Sequence, residues 1–250
     1  MTPGGDKIIV ALDVSNEKEA LGLADVLQGH VGFFKVGLEL IHSVGTGIVY
    51  KIVAGGGKVF LDCKLHDIPN TVAGAAKAVA RLGVGMFNVH AMGGIEMMKA
   101  AAQAAAEGAA SAGVPVPFIL GVTMLTSLDQ RAMNEELRVA GGVEDQVAHL
   151  ARLATTAGLD GVVASPHEIS AIRRAVPGIR AIVTPGVRPA WAASQDQKRV
   201  LTPGEAIRQG ASYLVIGRPL TRPPHNIGGP VSAARAVAAE IVAACDSRGC

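Results

Sequence analysis

The stretch Lys58-Val59-Phe60-Leu61-Asp62-Cys63-Lys64-Leu65-His66-Asp67-Ile68-Pro69-Asn70-Thr71 joins a short apolar run to two carboxylates and an ammonium at i, i+2 and i+5, then to a helix start. Alternation along a strand puts Asp62 and Lys64 on one face. Ile68-Pro69-Asn70-Thr71 supplies turn and capping chemistry that begins a helix at about Pro69. The charges therefore fall at a strand's carboxyl end, where parallel α/β folds assemble their active sites. An acid-base-acid cluster is ordinarily a solvated surface feature or an ion pair at a core edge. At the end of a buried strand each unpaired ion costs several kcal/mol, so charge concentrated here points to a use.

The same pattern recurs along the chain. Short runs rich in Val, Ile or Phe occur at Ile8-Asp13, Val31-Val36, Val59-Asp62, Met86-His90, Val116-Val122, Gly161-Ala164, Ala181-Thr184 and Tyr213-Ile216. Each is followed by Gly or a polar turn and then by an Ala-rich amphipathic segment, the last from about Val231 to Ala244. Continuous apolar strands alternating with helices indicate a parallel sheet covered on both faces. Eight units predict closure into a (β/α)8 TIM barrel of the α/β class. The 250 residues, 49% of them hydrophobic, suit one such barrel over residues 1–250 and leave little room for a second domain. Polar residues gather at the strand ends: Asp13, Lys35, Asp62 with Lys64, His90, Thr126-Ser127, Arg188 and Gly217-Arg218. A doubly wound open sheet would collect them at one switch point, so recruitment from many strands favours the barrel.

Composition excludes several partners. The 23 basic residues are dispersed and nearly balanced by 21 acidic ones, so a net charge of +2 leaves no footprint for nucleic acid or an anionic membrane. Gly108 to Leu128 carries no charge, yet Pro115, Pro117 and several Gly and Ser residues interrupt it, which fits a helix end running into a buried strand better than a membrane span. Cys63, Cys245 and Cys250 have neither metal-ligand spacing nor a paired framework, which favours a reduced intracellular compartment. The start, Met1 to Asp6, lacks a signal-peptide pattern.

Of the remaining motifs, Ile216-Gly217-Arg218-Pro219 follows the eighth run, where a barrel can offer backbone N–H groups and an arginine fork to a phosphate. The seventh loop, Thr184-Pro185-Gly186-Val187-Arg188 through Gln195-Asp196-Gln197-Lys198-Arg199, is long and polar, as a closing lid would be. Its composition fits a plain surface loop equally well. None of the seven histidines forms a ligand motif, and His90 is expected to be a hydrogen-bonded core residue. Met97, Met98 and Trp191 read as packing or loop contact. No Gly-x-Gly-x-x-Gly follows a strand, so a dinucleotide is disfavoured.

Together these residues resemble the orotidine 5′-monophosphate decarboxylase family. The resemblance runs from Ala11-Leu12-Asp13 through Phe34-Lys35-Val36-Gly37, Asp62-x-Lys64-x-x-Asp67-Ile68-Pro69-Asn70-Thr71, Leu125-Thr126-Ser127, Thr184-Pro185-Gly186-Val187-Arg188 and Asp196-Gln197-Lys198-Arg199 to Gly217-Arg218. Cys63 stands where that family often has an apolar residue. The resemblance implies decarboxylation of orotidine 5′-monophosphate to UMP and CO2, the last step of de novo pyrimidine nucleotide synthesis, by a cytoplasmic enzyme without cofactor or metal. It makes Lys64 the proton donor to C6 of the pyrimidine and Asp62 the carboxylate facing the substrate's own. Lys35, Asp62, Lys64 and Asp67 would form an alternating charge array, with Asp67 and Thr71 reaching into the partner's site of a homodimer. Asp13 and Lys35 would hold the ribose hydroxyls, Thr126 and Ser127 would flank the base, and Gln197, Gly217 and Arg218 would take the phosphate beside Arg188.

Two other functions fit parts of the pattern. A metal-dependent sugar-phosphate decarboxylase or aldolase could share Asp-x-Lys-x-x-Asp, but it resembles a site with an acid where this chain has Lys35. A noncatalytic sensor of nucleotide phosphates would have little need for Lys64 between two aspartates.

Overall fold

A computed structural model describes residues 1–192 and 201–246. Eight strands succeed one another: β1 (Ile8–Ala11), β2 (Phe33–Val36), β3 (Val59–Leu65), β4 (Met86–His90), β5 (Phe118–Val122), β6 (Gly161–Val163), β7 (Ala181–Pro185) and β8 (Tyr213–Ile216). Each pairs in parallel with its neighbours in the chain, and β8 pairs with β1, so the sheet closes into a barrel in sequence order. All eight apolar runs become strands. Between and after them lie α1 (Glu17–Leu27), α2 (Leu38–Val44), α3 (Gly47–Ala54), α4 (Pro69–Arg81), α5 (Gly94–Ala112), α6 (Val143–Thr156), α7 (Ile169–Ala175), α8 (Pro203–Gln209), α9 (Arg218–Thr221) and α10 (Pro230–Asp246). No helix among the described residues is long and apolar enough to cross a membrane.

The strands form because both of their faces are buried, which β-branched and aromatic side chains tolerate well. One face of each strand points into the barrel, where Ile9, Ala11, Phe60, Met86, Leu120, Ala181, Val183 and Val215 pack into a plug. The other face meets the helices in the larger outer core. Helix ends are fixed locally. The Asn16 side chain accepts from the Glu19 N–H at 2.8 Å to open α1, and Thr202 with Glu205 forms a reciprocal capping box on α8. Pro69 takes the first position of α4, as the sequence predicts. Small residues let α4 and α5 approach closely: a Cβ on Gly108 would sit 2.5 Å from the Lys77 carbonyl oxygen.

The period of two also explains why charge surfaces at the barrel mouth. Phe33, Phe60 and Met86 line or abut the plug. Two residues further along the same strands come Lys35, Asp62 and Asn88. The strand's carboxyl end is thus the interior register continued past the apolar plug.

Candidate active site

Three side chains meet at the mouth over β2 to β4. Lys64 Nζ donates to Asp62 Oδ1 at 2.6 Å, and Lys35 Nζ lies 3.6 Å from Asp62 Oδ2. Lys35 also donates to Asp13 Oδ1 at 2.9 Å, two residues beyond the end of β1. Lys35 and Asp62 are largely buried, Lys64 is half-buried, and Asp13 is open to solvent. Burial alone would raise the Asp62 carboxyl. The Lys35 and Lys64 ammonium groups and hydrogen bonds from Lys64 and Asn88 outweigh it, so Asp62 is held below its ordinary 3.8 and stays ionised near neutrality.

Asn88, fully buried on β4, organises this group. Its Nδ2 donates to Asp62 Oδ1 at 2.7 Å, and its Oδ1 accepts the Lys64 backbone N–H at 2.7 Å. The Cys63 thiol approaches its backbone carbonyl at 3.7 Å. Sequence reasoning missed Asn88. Its signal was present as a lone amide inside the apolar run Met86-Phe87-Asn88-Val89.

The strand carrying the charges is not regular. Leu61 pairs with Phe87 and Leu65 with Val89, so four steps on β3 (61 to 65) match two on β4 (87 to 89). Lys64 sits in this bulge with φ of 49°, in the left-handed region that side chains with a Cβ avoid. Such a conformation costs about 1 kcal/mol or more and persists because its surroundings over-determine it. The Asn88 amide holding the Lys64 N–H is part of that constraint. Asp62 and Lys64 do share a face, as alternation predicts, but through an irregular strand that runs to Leu65. Cys63 points the other way, against the outer core, and burial pushes its thiol up to about 11. It behaves as the apolar residue expected there.

Above the charges is a cavity of about 220 Å³ whose lining includes Lys35, Phe60, Asp62, Lys64, Val122, Leu125, Thr126 and Val215. Phe60, Val122 and Val215 give it an apolar floor. Thr126 lines it, whereas Ser127 is exposed on the β5 to α6 connection and is not part of the lining. A second cavity of about 290 Å³ adjoins at Val215 and is bounded by Asp13, Gly186, Arg188, Gly217, Arg218 and Arg222. Arg222 is paired with Glu19 at 3.0 Å. Among the described residues neither Arg188 nor Arg218 makes an ion pair. The Arg188 N–H donates to the Leu201 carbonyl at 3.1 Å, joining the two sides of the seventh loop. Gln197 lies outside the described residues, as does the rest of segment 193–200.

Gly37, just after β2, is needed by close approach: a Cβ there would lie 2.7 Å from Lys35 Nζ. Asp67 and Thr71 are exposed, and among the described residues Asp67 makes no ion pair with Lys35 or Lys64. Asp67 Oδ1 accepts the N–H of Ile68 at 2.6 Å. His90 is not the hydrogen-bonded core residue expected. Its Nδ1 is buried with no hydrogen-bond partner among the described residues, and its ring stacks on His66. Met97 and Met98 are fully buried, as expected. Among the described residues no three His, Cys, Asp or Glu side chains are grouped to hold a metal ion.

The sequence profile described as the orotidine 5′-phosphate decarboxylase / HUMPS family matches residues 6–237. An orotidine 5′-phosphate decarboxylase of Moorella thermoacetica is 57% identical over 236 residues, covering 94% of this chain and 92% of the relative. One from Heliobacterium modesticaldum is 48% identical and covers 88% and 90% respectively. The crystal structure of orotidine 5′-phosphate decarboxylase from Lactobacillus acidophilus superimposes with a TM-score of 0.78 at 37% identity, over 94% of this chain and 98% of that one.

Proposed function

The chain belongs to the orotidine 5′-phosphate decarboxylase / HUMPS family and is a decarboxylase of pyrimidine biosynthesis, and from that premise we propose how its own residues convert orotidine 5′-monophosphate to UMP and CO2. The observation that carries the reading is the chain of contacts Lys35 to Asp62 to Lys64, held by Asn88 over an apolar floor. As the bond from C6 to the carboxylate breaks, its electron pair stays on C6 in the ring plane, out of reach of the π system. The Lys64 ammonium stabilises that charge: at about 4 Å and an effective dielectric near 20 the attraction is about 4 kcal/mol, without solvent reorganisation. Lys64 then gives its proton to C6 and recovers one from water. Asp62, kept ionised, faces the substrate carboxylate. Asp13 and Lys35 hold the ribose hydroxyls, and Thr126 flanks the base, with Ser127 beside it on the same connection.

The phosphate goes to Gly217, Arg218 and Gln197 beside Arg188. Two arginines that make no ion pair among the described residues, bordering one cavity, suit a dianion. Binding energy gathered there closes the seventh loop over the charges.

The charge array is completed in a homodimer, with Asp67 and Thr71 entering the partner's site. Support comes from the mouth itself: Leu38, Ile68, Met92 and Leu125, just beyond the ends of β2, β3, β4 and β5, are all exposed apolar side chains. The reading also takes residues 1–250 as one catalytic domain acting in the cytoplasm, with no cofactor.

The test mixes purified protein with orotidine 5′-monophosphate in excess EDTA and follows the ultraviolet absorbance, with Lys64→Ala in parallel. Conversion by the intact protein that vanishes in the variant supports the reading. No conversion by the intact protein would sink it, in favour of a metal-dependent sugar-phosphate enzyme or a nucleotide sensor.

A further inference from the structure

The connection from β3 to α4 consists of His66, Asp67 and Ile68. Ile68 is 66% exposed, and the Asp67 carboxylate is turned to the neighbouring N–H. The connection's one ring contact with the barrel among the described residues is made by His66, itself exposed. Its ring stacks on that of His90, the last residue of β4, with centroids 5.2 Å apart and planes 26° from parallel. The turn after β4 passes close to the same ring, since a Cβ on Gly93 would overlap Met97 Sδ and come 3.2 Å from His66 Cδ2.

His90 makes a poor acceptor site but a good platform. Its Nδ1 is shut away without a hydrogen-bond partner among the described residues. Burial first, then the neighbouring His66 and the Lys64 ammonium, press its pKa below the ordinary 6.5, so the ring is neutral and stacks without charge repulsion. A buried nitrogen left unsatisfied is a cost that a purely structural core would avoid by placing an apolar ring there.

We propose that His66, stacked on His90, is a positioning residue for the partner subunit's site: it fixes the connection that presents Asp67, and the first turn of α4 that presents Thr71, across the subunit boundary. The proposal rests on the composite-site reading above. His66 adjoins Asp67 directly, so freedom at His66 becomes displacement of the Asp67 carboxylate, and an error of about 1 Å in a reacting constellation can cost on the order of 100-fold in rate.

The test is complementation in mixed dimers. His66→Ala alone should lose at least tenfold in kcat, while UMP affinity changes by less than threefold. His66→Phe, which keeps a flat ring on His90, should restore turnover to within about threefold of the native enzyme. Co-expressed Lys64→Ala and His66→Ala chains should then recover activity, because each hybrid dimer holds one site with a native Lys64 from one chain and a native His66-Asp67 connection from the other. Random pairing makes half the dimers hybrid with one good site of two, or about a quarter of native activity. Lys64→Ala with Asp67→Ala is the control. If the control recovers and the His66→Ala mixture does not, His66 serves its own chain's Lys64 and the proposal is wrong. A fully active His66→Ala, or a His66→Phe as poor as His66→Ala, would also overturn it. If the control itself stays inactive, the composite-site reading fails and takes this inference with it.

Discussion

The two ends of the candidate site are built on opposite plans. Over β1 to β4 four charges already have partners: Asp13, Lys35, Asp62 and Lys64 form a continuous chain, and Asn88 fastens Asp62 and Lys64 within it. Over β7 and β8 Arg188 and Arg218 border a cavity with no ion-pair partner among the described residues. The difference separates two tasks. Dipoles and charges that stabilise a transition state work best when set before the reaction, whereas a binding group gains most by leaving its charge for the ligand to satisfy. Burial without cations shows what the first plan requires. Glu168, just after β6, is part of a capping box, and burial, despite a hydrogen bond from the Ser165 N–H and with Glu144 adding in the same direction, pushes its carboxyl up to about 7. Asp62 is also buried, yet two lysines and an amide move it the other way.

The contrast breaks most decisively at Lys64. Lys64→Ala should lower kcat by at least about 1,000-fold, matching the roughly 4 kcal/mol assigned to its charge, while UMP affinity, measured by calorimetry, changes by less than tenfold. Equal losses in both would mean that the two ends are not separate devices. Arg218→Ala should act mainly through substrate binding, with kcat/KM about 10- to 150-fold lower, the value of a charge-assisted hydrogen bond of 1.5–3 kcal/mol. A part of that loss appearing in kcat would show phosphate contact driving loop closure; a kcat left untouched would exclude the coupling.

Asn88→Ala tests preorganisation itself. It strands the Lys64 N–H and removes one donor from Asp62, so denaturant unfolding should report a loss of about 1–3 kcal/mol, accompanied by a fall in kcat. Full activity with lowered stability would restrict Asn88 to folding. Glu168→Gln gives the smallest effect and one tied to pH. A raised folded pKa means that the native state binds more protons than the unfolded chain between about 4.5 and about 7. Native stability therefore falls as pH rises through that window. The variant should flatten the slope by about 1 kcal/mol, discounted for the partial solvation of the group. An unchanged melting profile from pH 4.5 to 7 would show that Glu168 titrates normally.

Much of this was legible in the sequence because the physics is local. Continuous short apolar runs such as Ile8 to Leu12, followed by polar turns, favour buried strands, and Pro69 marks its helix start by missing an N–H. That Asp62 and Lys64 share a face follows from alternation. The bulge does not, because a register shift depends on the neighbouring strand: nothing within Asp62-Cys63-Lys64-Leu65 tells how many residues of β4 will face it. Asn88 was overlooked for a related reason, since an isolated amide has no meaning until the groups around it are known. The stacking of His90 cannot be read from its own strand because its partner, 24 positions away, belongs to a different strand end.

The apolar plug of the barrel settles a question of traffic. Ile9, Met86, Leu120 and Val183 fill the passage between the mouth that holds the candidate site and the opposite end, so that site is a cul-de-sac with one doorway. A molecule the size of a nucleotide must leave by the way it came, and the next cannot enter until it has gone. UMP accumulating in an assay should therefore raise the apparent KM and leave the maximal rate unchanged, and a fall in the maximal rate would mean that UMP also binds the substrate-loaded protein at another place.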